Sequence, residues 1–402
     1  MWYDTREERA KSPADIWERE DNMREKKLWI LLLMLLPVLL SGCGGKRAET
    51  PAGEADVSVG AAPSNLRVLL AQDFDIQYLA DGVKLVTDSA GRELLLTPRG
   101  AAAPAGYDGA AKISTPIRRA MFTSEVYVGF LEALEEPGLY DSIAALTLEA
   151  GQWTSQAVAD RFAGGQIAYI PPETWLAGDA EALTAADLDL VFLDLSHEED
   201  AALAQLLDQA GIPYASAFRR PEGDTEAYLE WLKFFAAFYD LDQEAGGLWE
   251  ETLSRLDALY SQQEFRGKRP VAAVCTVSGG TVCAPAGGST IAKQLERAGA
   301  VYALAEQEGR GTVQMEMEEF LELCKDADVL LYSALPQDLA DSPPDPLLAE
   351  CRAYQNGRVF TLDSGYYMHS AQVVARFEDL VAMCWPEREK DHVFTMYQPL
   401  AE

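Results

Sequence analysis

The segment TEAYLEWLKFFAAFYDLDQEAGGLWEETLSRLDALYS, residues 225–261, decides the architecture. It carries Tyr228, Trp231, Leu232, Phe235, Phe238, Tyr239, Leu248, Trp249, Leu253 and Leu256 at near-helical spacing, with an interruption at Gly246-Gly247. Apolar residues recurring every three or four positions line one face of a helix. Two readings are open: a helix pair inside one domain, or a helical spine between two lobes. The flanking sequence selects the spine, because an α/β pattern precedes it and a second one follows it.

Upstream, Leu66 to Leu70 begins a β-rich entry segment. Val83 to Thr87 and Glu93 to Thr97 read as a hairpin around Asp88-Ser89-Ala90-Gly91-Arg92. Strands are then expected at Arg119 to Phe122, Leu188 to Leu193 and Pro213 to Ala217. Helices are expected at Glu125 to Leu134 and at Glu198 to Ala210, the latter ending at Gly211. After Arg266-Gly267-Lys268-Arg269-Pro270 the alternation resumes. Strands fall at Val271 to Val277, Asp328 to Tyr332 and Arg358 to Leu362, and helices at Thr290 to Ala298, Met317 to Cys324 and Ala371 to Cys384. Alternation of this kind implies sheets covered by helices. The expected fold class is α/β: two α/β lobes joined by a long backbone helix, a ligand cleft between them, and a small N-terminal β-hairpin segment. The lobes span 65–224 and 263–390, the linking helix 225–262, and a tail 391–402.

The first 64 residues read differently. Met23-Arg24-Glu25-Lys26-Lys27 precedes the apolar run Leu28 to Leu40, and Ser41-Gly42-Cys43 follows. A basic cluster, a short apolar run and a small-residue site make a secretory signal. Leu40-Ser41-Gly42-Cys43 resembles the lipobox of bacterial lipoproteins, which implies lipidation at Cys43 and an extracytoplasmic, lipid-anchored location on the outer face of the cell membrane. The other reading is an uncleaved anchor helix with an incidental cysteine. Residues 1–22 read as an upstream extension before a start at Met23, 23–42 as the signal and 43–64, rich in Gly, Ala, Pro and Glu, as a flexible tether.

Composition narrows function. With 33 basic against 65 acidic residues the net charge is -32, which repels nucleic acid and anionic lipid headgroups alike. Six cysteines are too few for a disulfide scaffold, and three histidines are a thin supply of metal ligands. No cofactor or resident metal is expected, and the chain is expected to be a monomer.

The order of elements, with the local motifs, resembles the helical-backbone type of periplasmic binding proteins for iron–siderophore, haem and cobalamin compounds, from about Ile113 to Pro386. In that family a glutamate heads a helix leading into a buried strand. Glu181 matches it ahead of Leu188-Asp189-Leu190-Val191-Phe192, and Glu318 matches it ahead of Asp326-Ala327-Asp328-Val329-Leu330. Gly357 to Phe360 and Trp385-Pro386-Glu387 match the family's ending. Leu188 and Ala327 stand where the family has Pro, and the segment Ala284 to Ser289 lacks the basic residue that relatives often carry. The resemblance implies an ABC-importer component that binds a small-molecule metal chelate or corrinoid between its lobes. It also implies docking of Glu181 and Glu318 on a membrane permease, with Glu316 and Glu319 as alternatives in the second lobe.

Ligands of open α/β sheets bind beyond the C-terminal ends of strands. That rule selects Thr123, Ser124, Ser196, His197, Arg219 and Arg220 in the first lobe, and Ser278, Ser333, Tyr366, Tyr367 and His369 in the second. Trp153, in a glycine-flanked loop, is a further aromatic candidate. Arg219-Arg220 reads equally as a pair of surface ion-pair partners, whereas loop tyrosines more often cover a core edge. Cys275 and Cys283 would face each other if Ser278-Gly279-Gly280 formed a three-residue loop, which leaves a disulfide or free thiols open. An extracytoplasmic hydrolase is a rival class, but no Gly-x-Ser-x-Gly elbow is present, His197 and His369 have no sequence-evident partners, and no catalytic residue is assigned. A sensory or adhesive lipoprotein on the same fold is the other.

Overall fold

The computed structural model describes residues 63–340 and 343–400. The signal, Cys43 and nearly all of the tether lie outside the described residues. Among the described residues no helix is long and apolar enough to cross a membrane.

Three sheets follow in chain order. The first holds β1 (Asp75–Tyr78), β2 (Lys84–Thr87), β3 (Glu93–Pro98) and β4 (Ala111–Thr115), with β2 and β3 forming the expected hairpin. The second holds β5 (Ala120–Phe122), β6 (Ile143–Leu146), β7 (Ala168–Tyr169), β8 (Leu190–Leu193) and β9 (Tyr214–Ser216) in the order β7-β6-β5-β8-β9, all parallel. Every residue of β6 and β8 is buried, as parallel strands covered on both faces require. The third sheet holds β10 (Val271–Ser278), β11 (Thr281–Pro285), β12 (Val301–Tyr302), β13 (Thr312–Met315), β14 (Val329–Tyr332), β15 (Val359–Leu362) and β16 (Tyr397–Pro399), centred on parallel β10, β14 and β15.

The linking stretch is three helices rather than one: Thr225–Leu229, Trp231–Ala237 and Asp242–Gln262. The breaks fall at Glu230 and at 238–241, where Asp240 adopts φ 58, and not at Gly246-Gly247, which lie inside the last helix. Gly246 serves close packing instead: a Cβ there would stand 2.9 Å from the Asn65 carbonyl oxygen. One face of these helices belongs to the first lobe. Phe235 and Phe238 pack on Phe192 with ring centroids 5.3 and 5.1 Å apart. The other face meets the second lobe, where Tyr260 packs edge-on against Phe377 and Arg297 pairs with Glu226. Each fully buried phenylalanine here contributes about 2–3 kcal/mol by removal of apolar area from water.

Leu66 to Leu70 is not a strand; it runs as irregular chain after the short turn Ser64–Leu66. Its backbone finds a side-chain partner in place of a neighbouring strand. The buried Glu230 carboxylate accepts from the N–H groups of Leu69, Leu70 and Ala71 at 2.8, 2.7 and 2.8 Å. Lys233, equally buried, donates to Glu230 at 2.9 Å and to the Arg67 carbonyl at 2.7 Å, with its ammonium 3.9 Å above the Trp249 ring. The tail is built in by the same device. Asp379, on the helix Val373–Cys384, accepts from Thr395, Met396 and Tyr397 N–H and meets His392 at 2.6 Å, which sets β16 against β15.

The loop between β10 and β11 has two residues, Gly279 and Gly280, both at positive φ, as a tight hairpin favours. That register places Cys283 opposite Thr276, not Cys275, and all five described cysteines are free thiols.

Replacing Glu230 with alanine strands three N–H groups and a buried ammonium. We expect Glu230→Ala to cost about 3–5 kcal/mol in denaturant unfolding, against no more than about 0.5 kcal/mol for exposed Glu250→Ala.

Candidate functional site

In the second sheet the chain leaves β5 for β6 and β7 on one side, then returns to β8 and β9 on the other. The crevice beyond the C-terminal ends of β5 and β8 is therefore the topological switch point, where parallel sheets bind ligands. A cavity of about 670 Å³ opens there.

Thr123 directly follows β5. Its Oγ1 donates to Asp200 Oδ2 at 2.8 Å, and the Asp194 N–H donates to the same oxygen at 2.7 Å. Asp200 stands in the first turn of the helix Glu198–Ala210 and thereby ties the ends of β5 and β8 together. Burial pushes its carboxyl up, against the pull of those two hydrogen bonds. Ser124 caps the helix Glu125–Ala133 by accepting from the Val126 N–H. His197 Nε2 lies 3.8 Å from Asp194 on the cavity's rim.

The far wall is aromatic. Tyr127 and Phe218 lie parallel at 6.2 Å, Tyr228 lies 5.4 Å from Phe218, and Trp175 closes another side. Tyr367 of the second lobe completes it. Its loop is seated by backbone approach: at Gly129 a Cβ would lie 2.3 Å from the Met368 carbonyl oxygen, and Ser370 Oγ reaches the Val126 carbonyl at 3.4 Å. Only glycine at 129 lets the second-lobe loop settle on this first-lobe helix.

Thr123, Ser124, His197 and Tyr367 thus line one cavity, and Tyr366 lines a neighbouring one. Ser196 is exposed, its N–H held by Asp194 Oδ1 at 2.8 Å. Arg220 pairs with Asp73, and Arg219 points to solvent beside the lining residue Phe218. Trp153 is buried, with Nε1 donating to the Leu148 carbonyl at 3.3 Å. Ser278 is exposed at the hairpin end, and His369 lies on a separate cavity beside Met368 and Leu232. Glu181 and Glu318 are both exposed in the first turns of their short helices, and Glu316 and Glu319 are exposed as well.

Asp194, Asp200, Tyr127, Trp175, Phe218 and Tyr228 were not selected from sequence. Tyr127, Trp175, Asp200 and Tyr228 reach in from helices, which the strand-end rule does not survey, whereas Asp194 and Phe218 stand one and two residues past β8 and β9 and were passed over for the residues that follow them. Among the described residues no group of three His, Cys, Asp or Glu is placed to hold a metal ion.

Comparison with known proteins gives a consistent picture. The profile of the family described as periplasmic binding protein matches residues 123–366. An uncharacterised lipoprotein of Methanocaldococcus jannaschii is 23% identical over 333 residues, covering 78% of each chain. Among solved structures, a Helicobacter pylori CeuE nickel–histidine complex aligns with a TM-score of 0.53 at 15% identity over 77% of this chain and 90% of that one. A Saccharomonospora viridis protein of an Fe3+-hydroxamate transport system aligns at 0.52 and 18% identity, over 74% and 98%. At those identities the likeness is one of fold.

Next to the lining residue Ser124, burial and the second-lobe carboxylate Asp338 push Glu125 up from 4.5 to about 7. A raised carboxyl favours the folded state when protonated, so its contribution is complete below pH 4.5 and is lost as the pH rises through 7. We expect Glu125→Gln to remove this loss. Melting temperatures of wild type and variant, compared across that window, should separate in favour of the variant as pH rises.

Proposed function

Since the chain belongs to the periplasmic binding protein family, whose profile covers residues 123–366, we propose that it is the lipid-anchored, extracytoplasmic solute-binding component of an ABC importer. Its solute is a metal chelate or corrinoid of the iron–siderophore, haem or cobalamin kind. The observation that carries this reading is the cavity of about 670 Å³ at the switch point, closed on one side by Tyr367 of the other lobe. That volume suits a small molecule, and its aromatic wall suits a flat or apolar one. With no cluster of three metal-ligating side chains among the described residues, a metal cargo would arrive inside its own chelator. Hydrogen bonds from Thr123, Ser124 and His197, with stacking on Tyr366 and Tyr367, would orient it. Ser196, Arg219 and Arg220 adjoin the lining residues His197, Phe218 and Pro221 in sequence, and no part is proposed for them or for Trp153, Ser278 or His369.

Delivery would use Glu181 and Glu318, exposed carboxylates at helix starts in either lobe. Opposite charge on a permease would meet them and set orientation and encounter rate. Lipidation of Cys43 would hold the protein near that permease. The protein itself binds and releases; it turns nothing over.

A thermal-shift panel of ferric hydroxamates, ferric catecholates, haem, cobalamin and cobinamide, with metal-free chelators as controls, tests the assignment. We expect saturable stabilisation by one chemical class. No response to any member would remove the chelate assignment. The double variant Glu181→Ala/Glu318→Ala should bind that ligand as wild type does yet lose import in cells, whereas undiminished import would remove the docking role.

A further inference from the structure

Pro221 forms part of the wall of a second cavity, of about 270 Å³, on the second-lobe side of the cleft. The two have opposite chemistry. The larger one is lined by Asp194, Glu199 and Asp200, with His197 and without a lysine or arginine among its described lining. The smaller one is lined by Arg310, Arg376 and the first residues of the helix Thr290–Arg297.

Arg376 is 7% exposed and sits on the helix Val373–Cys384. Its Nη2 donates to the Ser370 carbonyl at 3.0 Å, while its Nε–H has no acceptor among the described residues. Its guanidinium stands 5.0 Å from the Tyr366 ring centroid and 5.9 Å from that of Tyr228. Buried cations are ordinarily matched by a carboxylate; this one has tyrosines around it and a cavity beside it. Arg310 reaches the same cavity by lying over Gly223, where a Cβ would stand 3.0 Å from its Nε. The helix adds to this field. Ser289 Oγ accepts the Ala292 N–H, and helix geometry leaves the N–H groups of Thr290 and Ile291 without intrahelical acceptors. Glu222 is the carboxylate on this wall, and its Oε1 is engaged by Trp231 Nε1 at 3.1 Å.

We propose that the second-lobe cavity is a subsite for an oxyanion of the ligand, a carboxylate or phosphate group, held by Arg376, Arg310 and the start of the helix Thr290–Arg297. The ligand is consequently bipolar, with its anionic group toward the second lobe and a neutral or cationic body against Asp194, Glu199 and Asp200. This rests on the reading that the cleft between the lobes takes the solute, and it adds the distribution of charge that the solute must carry.

The test is titration of the purified full chain with inorganic phosphate and, separately, with acetate. Calorimetry and thermal shift are read at constant ionic strength against sodium chloride. Saturable binding of at least one oxyanion is expected in wild type, weakened about ten-fold or more in Arg310→Gln, as loss of a charge-assisted bond predicts, and unaltered in the surface control Arg266→Gln. Arg376→Lys should lose binding too; should it fail to fold, exposed Arg310 decides the matter alone. Failure of both anions to bind, or equal binding by Arg310→Gln, overturns the subsite. Outcomes for the two readings separate cleanly. A chelate that stabilises wild type and Arg310→Gln equally, with no oxyanion response, removes the subsite and leaves the importer. An oxyanion response with no chelate response removes the chelate and leaves the subsite.

Discussion

A buried carboxylate facing three consecutive backbone N–H groups, with the nitrogen of a basic side chain beside it, is the constraint on which the body depends. Glu230 with Lys233 holds the segment 67–71, and Asp379 with His392 holds the segment 392–397. Neither segment has enough sheet or helix of its own to satisfy its amides. Burying an anion is costly unless donors replace its water, and three short N–H contacts do so. Glu230 sits at the junction of two linking helices and Asp379 on the helix Val373–Cys384, all packed in the core, so the two flanking segments become part of the framework around the cleft. In a chain of net charge -32, most carboxylates remain in water and repel one another, and these few are distinguished by what donates to them.

That framework fixes the distance between the lobes. The three linking helices share their phenylalanines with the second sheet and their outer face with the second lobe, and Gly129 admits the Met368 backbone to close contact. Tyr366 and Tyr367 are therefore carried to the cleft by a loop that is anchored rather than free. A site organised in this way loses little entropy when it binds. The structure also gives the cleft a direction, acidic and aromatic at one end and basic at the other.

Much of this was legible in the sequence. Glu198–Ala210 with its terminator Gly211 at φ 69 appears as read, because helix periodicity and a left-handed glycine stop coincide there. β14 and β15 begin within a residue of their expected starts. Other features were hidden for physical reasons. β1 alternates polar and apolar residues over only four positions, too short a run to stand out. Gly246-Gly247 reads as a helix break, since its real cause, the strap at Asn65 crossing the helix, is a tertiary contact. Leu66 to Leu70 looks like a strand because its partner is a glutamate 160 residues away. The absence of a basic residue in Ala284 to Ser289 suggested a cleft poor in cations. Arg310 and Arg376 supply that charge from later in the chain, and no local pattern joins them to the site.

The central claim is that one solute is held between the lobes at the switch point of the second sheet. A crystal structure of the protein with whichever chelate stabilises it tests this most directly. The account predicts the ligand in contact with Thr123 and Phe218 from one lobe and Tyr367 from the other. A ligand bound with high occupancy elsewhere, touching one lobe alone, would contradict it.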